Sequence, residues 1–231
     1  TGEYRTIAYV TGEWAKAGLV PVPGSATPWL QPVPLVETRN HRGTSGFRRG
    51  ARMIAIEDDG ILLTSRAGFN RLDDVPVVFV GYGVDASGKV NADVRGKVAV
   101  MLFDNVPFGT NLPRYRDRRK LLADAGASAV LVVAGDSLPW AQLKSAIASS
   151  STSRATTAAG GPPISGFLAP TAFDTLVTRA GAKSDDLRAA AKNPDFIARD
   201  LGIIADLAAT SEVRAFDSHN ILGKLPGAKP D

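Results

Sequence analysis

Side chains that carry out hydrolytic chemistry are sparse in this sequence. The chain has no cysteine and two histidines, His41 and His219, and neither histidine stands beside a cluster of carboxylates. A catalytic zinc site uses three protein ligands, mostly His with a carboxylate, and keeps an open position for water. The nucleophile-elbow, phosphate-loop and His-Glu-x-x-His patterns do not occur. We therefore predict no catalytic residue and no metal ligand in this chain, and interpret both histidines as surface or pairing residues.

The densest charged run lies at the start of a predicted helix and holds five cations in seven residues, 114–120. Cations at a helix N-terminus oppose the helix dipole, so a compensating contact is expected. One interpretation is a solvated helix face on which Asp117 pairs locally. The other is a patch that receives carboxylates or a peptide backbone, with an apolar contact from the tyrosine. This candidate site consists of Arg114, Tyr115, Arg116, Arg118 and Arg119.

Two further expectations concern these basic residues. We expect Arg116, Arg118 and Arg119 to be exposed, so that their replacement by Ala leaves folding intact. A second basic cluster lies in Gly-rich sequence and is interpreted as a mobile loop; it consists of Arg42, Arg48, Arg49 and Arg52.

Composition limits the class of protein. With 231 residues, 44% of them hydrophobic, the chain fits one large domain or one and a half small ones. Apolar runs are far shorter than the roughly 20 residues that span a bilayer, so no membrane span is expected. The first residues lack a signal-peptide pattern. A net charge of +4 is a mild excess, and we expect no nucleic-acid partner.

Hydrophobic periodicity predicts a mixed α/β fold. A helix over 3–17 ends at Gly18, and a proline-containing edge strand follows at 29–36. The Gly81-Tyr82-Gly83 segment after a strand is interpreted as a tight turn rather than a dinucleotide-binding turn. Near-continuous apolar strands on either side of a helix predict a parallel βαβ unit. The strands before the turn are placed at 53–56, 61–64 and 75–80, and the βαβ unit at 97–103, 114–125 and 129–133.

The second half begins with a predicted flexible Ser/Thr-rich loop, 149–161. A short strand at 164–168 and a helix at 172–180 follow. Ser184, with Asp185 and Asp186, is predicted to cap a further helix that continues to Lys192. The last elements are predicted as three strands separated by turns, at 203–207, 213–216 and 220–225.

Several short segments occur in an order that resembles a known family. They are Gly2-Glu3 with Ala8-Tyr9, Gly18-Leu19-Val20-Pro21, Trp29-x-Gln31-x-Val33-Pro34-Leu35, Val78-Phe79-Val80-Gly81-Tyr82-Gly83, Gly96-Lys97-Val98, Lys120 with Ala123 and Gly126-Ala127, and Asn220-Ile221-Leu222-Gly223-x-Leu225-Pro226-Gly227. Together they look like the N-terminal part of a di-zinc aminopeptidase of the family that includes glutamate carboxypeptidase, with an inserted protease-associated domain. The resemblance covers residues 2–227.

The resemblance implies a fold and a division of the chain. It implies a protease-associated β-sandwich or barrel-like domain with flanking helices at 39–200. Residues 1–38 would be a helix and edge strand of the peptidase domain, and 201–231 would be strands leading into a missing catalytic domain. In the family the zinc ligands begin after the Leu-Pro-Gly turn, so zinc is expected in the parent enzyme and not here.

The resemblance also implies a role. It implies a non-catalytic lid that controls access of a peptide or protein substrate and contacts partner proteins, in a secreted or periplasmic enzyme. A free-standing peptide- or protein-binding module without a hydrolase is the alternative, and a small α/β enzyme of another type is a third hypothesis. If the flanks 3–17 and 220–225 belong to a missing domain, their apolar faces favour self-association.

Overall fold

A computed structural model of the chain describes residues 2–23, 27–57, 60–135, 137–148, 150–155 and 161–227. These residues form five α-helices and twelve β-strands. The helices are α1 (Gly2–Lys16), α2 (Tyr115–Asp124), α3 (Trp140–Ala148), α4 (Pro170–Arg179) and α5 (Ser184–Ala190). The strands are β1 (Val20–Pro21), β2 (Leu30–Asn40), β3 (Thr44–Arg49), β4 (Arg52–Ile54), β5 (Ile61–Ser65), β6 (Gly68–Phe79), β7 (Val98–Leu102), β8 (Ala129–Val133), β9 (Ser151–Arg154), β10 (Ile164–Leu168), β11 (Arg199–Ile221) and β12 (Gly223–Lys224).

The chain divides into two compact units. Unit 1 comprises Thr1–Glu37, Thr152–Ala158 and Arg214–Asp231, and unit 2 comprises Thr38–Ser151 and Ala159–Val213. The mixed α/β class predicted from the sequence is confirmed. The protease-associated form of the fold and the domain limits 1–38, 39–200 and 201–231 stay predictions.

Unit 1 holds α1 and a small aromatic cluster. The rings of Trp14 and Trp29 lie 6.3 Å apart between centroids. The backbone of Trp29 is left-handed, with φ of 68°, and its carbonyl oxygen accepts a 2.8 Å hydrogen bond from the N–H of Leu222. The predicted first helix is confirmed, and Gly18 after it has a φ of 84°, the left-handed conformation that is common just past a helix end.

Unit 2 is built around a run of parallel strands. Strand β7 pairs in parallel with β6 on one side and with β8 on the other, and β8 pairs in parallel with β10. Every residue of β7 and β8 is buried, as expected for strands covered on both faces. Helix α2 connects β7 to β8, so the predicted βαβ unit is confirmed.

Helices cover both faces of this parallel run. Helices α4 and α5 pack on the face that carries Phe79, Val100 and Leu131. Leu122 of α2 and Leu143 of α3 pack on the other face with Met101 and Val132. Helix α3 is absent from the sequence-based prediction, which assigned no element to 135–148.

Strand β11 corrects the prediction for the C-terminal part of the chain. It is one strand of 23 residues, and not three strands separated by turns. Its residues alternate between buried and less buried positions from Leu201 to Ser211. Its pairing with β6 shifts register between Asp200 and Ile203 and again between Ala205 and Leu207. These irregularities shift the pairing register without ending the strand. After Ile221 the chain continues as β12, which pairs with β1.

The arginine-rich segment that was interpreted as a mobile loop is largely a β-hairpin. Arg48 and Arg49 lie on β3 and Arg52 lies on β4, and the two strands pair antiparallel. Arg48 forms an ion pair with Asp74, and Arg49 donates a 2.7 Å hydrogen bond to the carbonyl of Arg179. Regular pairing with β4 and with β11 holds this segment in place.

Three smaller predictions also change. Part of the predicted Ser/Thr loop is strand β9, whereas residues 149 and 156–160 of that loop lie outside the described residues. The predicted edge strand, β2, pairs with both β11 and β9. Helix α5 begins at Ser184, so the N-cap is Lys183, whose side chain makes no capping hydrogen bond.

Candidate functional site

The basic run predicted as a surface patch divides between the surface and the interior. Arg114 and Arg116 are exposed and Arg119 is half-buried, but Arg118 is 0% exposed. The prediction that Arg118 is exposed is therefore wrong. Its position explains why: Arg118 precedes the fully buried Leu122 by four residues on α2, and residues four apart lie on the same helix face.

The Arg118 guanidinium is hydrogen-bonded to main-chain carbonyl oxygens. Its Nη1 donates hydrogen bonds to the carbonyls of Tyr82 at 2.9 Å and Leu102 at 3.2 Å. Its Nη2 donates to the carbonyls of Phe103 at 2.8 Å and Asp104 at 2.7 Å. These carbonyls belong to the Gly81-Tyr82-Gly83 turn and to the end of β7. Arg118 thus joins the carboxyl-terminal ends of two parallel strands, β6 and β7.

Burial shapes the electrostatics around Arg118. Loss of hydration lowers the pKa of Arg118 to about 10, while Tyr82 and Asp104 act in the opposite direction. The guanidinium stays protonated at neutral pH. Burial raises the pKa of Tyr82. The centre of the Tyr82 ring lies 5.7 Å from the Arg118 guanidinium carbon. Within the described part of the chain, Arg118 Nε has no hydrogen-bond partner. The hydrogen bonds to the four carbonyls therefore come from the two terminal nitrogens.

The remaining members of the predicted patch do not form one open surface. The Tyr115 ring packs 4.5 Å from the Phe103 ring and 6.4 Å from the Phe167 ring. Arg116 Nε donates a 3.1 Å hydrogen bond to the Tyr115 hydroxyl, which raises the pKa of Arg116. Burial lowers the pKa of Arg119. A peptide contact by this run stays a prediction, and the side chains available for it are Arg114 and Arg116.

Unit 2 also contains a pocket of about 590 Å³. Its walls come from the segment after β2, the start of β3, the residues after β4, strand β5 and helix α3. The lining residues are Asn40, His41, Arg42, Gly43, Thr44, Ser45, Ile56, Glu57, Ile61, Leu62, Leu63, Lys144 and Ile147. Its size lies in the range of small-molecule and peptide sites.

The pocket is lined by both apolar and charged residues. Ile61 and Ile147 are half-buried, and Arg42, Glu57 and Lys144 supply charge. His41 Nε2 lies 3.0 Å from Glu212 Oε1. The sequence-based reasoning interpreted His41 and Arg42 separately and missed the pocket, because α3 was not predicted and the approach of β5 to residues 40–45 is a long-range contact.

The two histidines do not fit a zinc site. In the described part of the chain, His41 lies beside one carboxylate, that of Glu212, and His219 lies beside one, that of Glu3, at 3.4 Å. Among the residues that the structure describes, no three His, Cys, Asp or Glu side chains come together as metal ligands. Protein zinc sites use three or four such ligands. In the same residues, no helix is long and apolar enough to cross a membrane.

Comparison with known proteins identifies distant similarity to solved structures. No protein-family model matches the chain, and no curated protein sequence matches it. Among solved structures, the chain is similar to the structure of BSAP, a zinc aminopeptidase from Bacillus subtilis, with 16% sequence identity and a TM-score of 0.32. The match covers 96% of this chain and 40% of that chain. The chain thus spans less than half the length of that structure, and a likeness at this level assigns no activity.

Proposed function

We propose that this chain is the non-catalytic, protease-associated region of a zinc-dependent aminopeptidase, in which it controls substrate access and binds peptide or protein. In this proposal the metal ligands belong to a catalytic domain outside residues 1–231. The aminopeptidase assignment is supported by the order in which the short sequence segments occur, from Gly2-Glu3 to Leu225-Pro226-Gly227. The protein would act in a secreted or periplasmic setting, as the resemblance implies.

The observation that carries the binding role is the pocket of unit 2. It is about 590 Å³ in volume and is lined by apolar, polar and charged residues. Such a combination suits a ligand that presents amide groups and side chains together, as a peptide does. The buried Arg118 supports the role indirectly, because a strand framework fixed at the ends of β6 and β7 is a rigid base for a binding surface.

A second candidate is a free-standing peptide- or protein-binding module with no hydrolase attached. The specific observation in its favour is that every lining residue of the pocket belongs to unit 2. The pocket therefore lies within one compact unit of this chain.

The test combines metal analysis, an activity assay and peptide binding. The purified chain is loaded with zinc, washed and examined by mass spectrometry, and is assayed with leucine p-nitroanilide. Both candidates require no tightly bound zinc and no turnover, together with NMR shifts in pocket residues on addition of a five-residue peptide. Stoichiometric zinc with turnover would overturn both. Binding of this chain to a zinc aminopeptidase domain that lacks the region would support the first candidate and not the second.

A further inference from the structure

Asn40 lines the pocket at the end of β2, and contacts with three successive residues of β11 hold it and its neighbour in place. Ser211 Oγ donates a 2.7 Å hydrogen bond to Asn40 Oδ1. The main-chain N–H of His41 donates a 2.9 Å hydrogen bond to the carbonyl of Thr210. His41 Nε2 lies 3.0 Å from Glu212 Oε1. This wall of the pocket is therefore anchored to a long strand.

The hydrogen bonds around Ser211 determine which way the Asn40 side-chain amide faces. The main-chain N–H of Ser65 can only donate, and its nitrogen lies 3.2 Å from Ser211 Oγ, so that oxygen accepts. The hydroxyl proton of Ser211 goes to Asn40, and the amide atom that receives it must be an acceptor, Oδ1. Ser211 is 2% exposed. The opposite orientation of the amide would leave its hydroxyl proton unsatisfied in the interior, which is unfavourable.

The two protons on Asn40 Nδ2 remain available to a ligand. Over the described ranges of the chain, no group accepts a hydrogen bond from this nitrogen. Nor is Nδ2 one of the buried polar atoms that lack a partner, which are Asn91 Oδ1, Arg118 Nε and Asp174 Oδ1. The nitrogen is therefore accessible. Because Asn40 is a lining residue, a ligand in the pocket can reach this donor.

The close approach of Gly43 to β5 holds the same wall at a second point. A Cβ atom added to Gly43 would stand 2.7 Å from the Cβ of Leu63, so the segment 40–45 already packs against that strand. The segment that carries Asn40 is thus attached both to β11 and to β5. A donor that is held in place before binding loses little conformational entropy when the ligand arrives.

The lining of the pocket favours an uncharged acceptor for this donor. Arg42 and Lys144 both interact with other groups of the chain, so neither is counted as a partner for a ligand carboxylate. Glu57 also lines the pocket and would repel a carboxylate. Removing a charge from water without a compensating partner is costly, whereas an amide carbonyl needs only a hydrogen bond. The side-chain amide of Asn40 therefore suits the carbonyl oxygen of a peptide.

We propose that Asn40 is the residue through which the pocket recognises its ligand, with Nδ2 donating a hydrogen bond to an uncharged amide carbonyl of a bound peptide. This inference rests on the proposed binding role and adds to it the recognising atom and the acceptor that it selects. Apolar side chains of the same peptide would contact the apolar lining residues, Ile56, Ile61, Leu62, Leu63 and Ile147. A hydrogen bond is stronger in such surroundings than in water.

The test observes the Asn40 side-chain amide directly by NMR. The probes are three capped peptides, acetyl-Val-Gln-Val-Gln-Val-amide, acetyl-Val-Thr-Val-Thr-Val-amide and acetyl-Val-Glu-Val-Glu-Val-amide. The Nδ2 proton signals of Asn40 should shift on addition of an uncharged peptide. The glutamate peptide should bind about tenfold more weakly, because its carboxylates are repelled by Glu57. Equal binding of the glutamine and threonine peptides would identify a main-chain carbonyl as the acceptor, whereas preference for glutamine would identify its side-chain carbonyl.

Asn40→Asp removes the donor, and Asn105→Asp is the matched control. Aspartate keeps an oxygen that accepts the hydrogen bond from Ser211, but it replaces the Nδ2 donor with a second acceptor. Affinity for the uncharged peptides should fall about tenfold, as expected for loss of one hydrogen bond together with repulsion between two oxygens. Asn105 is exposed and lies outside the pocket lining, so the same change there should leave the affinity unaltered. Thermal unfolding verifies that both variants are folded.

The outcomes that would overturn this inference differ from the one that would also remove the proposed function. If peptide binding shifts other pocket residues but leaves the Nδ2 protons of Asn40 unchanged, or if Asn40→Asp binds normally, the donor is wrongly assigned and the peptide-binding function stands. Equal or tighter binding of the glutamate peptide would contradict the selection of an uncharged acceptor. No binding of any of the three peptides would remove both the inference and the proposed function.

Discussion

Arg118 Nη2 donates a 2.7 Å hydrogen bond to the main-chain carbonyl oxygen of Asp104, at the point where the chain leaves β7. Three more carbonyls accept hydrogen bonds from the same guanidinium. A carboxylate partner would neutralise the arginine, but four carbonyls distribute its charge over the backbone. The arginine therefore organises the loops that follow the parallel strands.

Replacement of Arg118 should be strongly destabilising. Arg118→Met keeps much of the side-chain length but leaves four carbonyls without their donor, and each unsatisfied buried polar group costs roughly 1–3 kcal/mol. After relaxation, we expect the free energy of unfolding to fall by about 3 kcal/mol. Urea unfolding followed by circular dichroism measures this change.

Arg116→Ala is the matched control on the same helix. Arg116 is exposed, so its removal should change the free energy of unfolding by less than about 0.5 kcal/mol. Equal stability of the Arg118 and Arg116 variants would contradict the structural role of Arg118. The expectation that Arg116, Arg118 and Arg119 are jointly dispensable is replaced by this pair of predictions.

The central strands and α2 were predictable because their signals are local. The apolar runs of β7 and β8 and the helix between them identify a buried parallel pair. The buried arginine was also within reach, since Tyr115, Arg118 and Leu122 recur at helical spacing on one face. It was missed because a dense run of charges on a helix usually marks a solvated face.

The remaining elements depend on contacts between distant parts of the chain. Strand β11 carries the polar segment Thr210-Ser211-Glu212, which is typical of a turn, yet Thr210 and Ser211 pair with Phe69 and Gly68 of β6. The pocket likewise joins residues near 40, 60 and 145. Local sequence patterns do not predict these pairings, because contacts between distant residues override the local preference for a turn or a strand.

A methyl group on the glycine at the centre of β10 should disrupt the sheet. A Cβ atom at Gly166 would stand 2.7 Å from the carbonyl oxygen of Leu62, 2.8 Å from Leu63 Cδ2 and 2.9 Å from Leu131 Cδ2. The carbonyl belongs to a paired strand and has little freedom to move. We expect Gly166→Ala to lower the free energy of unfolding by about 2 kcal/mol, as measured by urea unfolding.

Gly12→Ala provides the opposite case. Gly12 lies inside α1, and no atom lies within 4 Å of a Cβ built there. Alanine favours helix over glycine by roughly 0.5–1 kcal/mol, so this variant should be neutral or stabilised. Similar losses in both variants would show that crowding at Gly166 is not the cause.

The carboxyl group of Asp85, in the turn after β6, should titrate at unusually low pH. The Ser87 hydroxyl donates a 2.7 Å hydrogen bond to Asp85 Oδ1, and the N–H of Lys89 donates to the same atom at 3.1 Å. These bonds hold the pKa of Asp85 below its ordinary value of 3.8. A folded-state pKa below the unfolded value means that the stabilisation is complete above the ordinary pKa and is lost as the pH falls through the folded value.

Carbon-detected NMR titration of Asp85 in the native chain and in Ser87→Ala measures this effect. The variant should raise the pKa of Asp85 toward its ordinary value, because the hydroxyl is the largest contributor to the shift. Its stability should also become less dependent on pH below 4. An unchanged titration curve would show that the backbone donors alone hold the carboxylate.

Helix α1 should mediate self-association of the isolated chain. None of its described residues is buried, and Tyr4 and Tyr9 are 66% and 70% exposed. Large exposed apolar side chains on one element are typical of an interaction surface. Sedimentation velocity over a concentration series should show oligomers that Tyr4→Lys combined with Tyr9→Lys abolishes. Met53→Lys, at a residue of unit 2 that is 64% exposed, is the control and should associate normally; a wild-type chain that stays monomeric throughout would contradict the prediction.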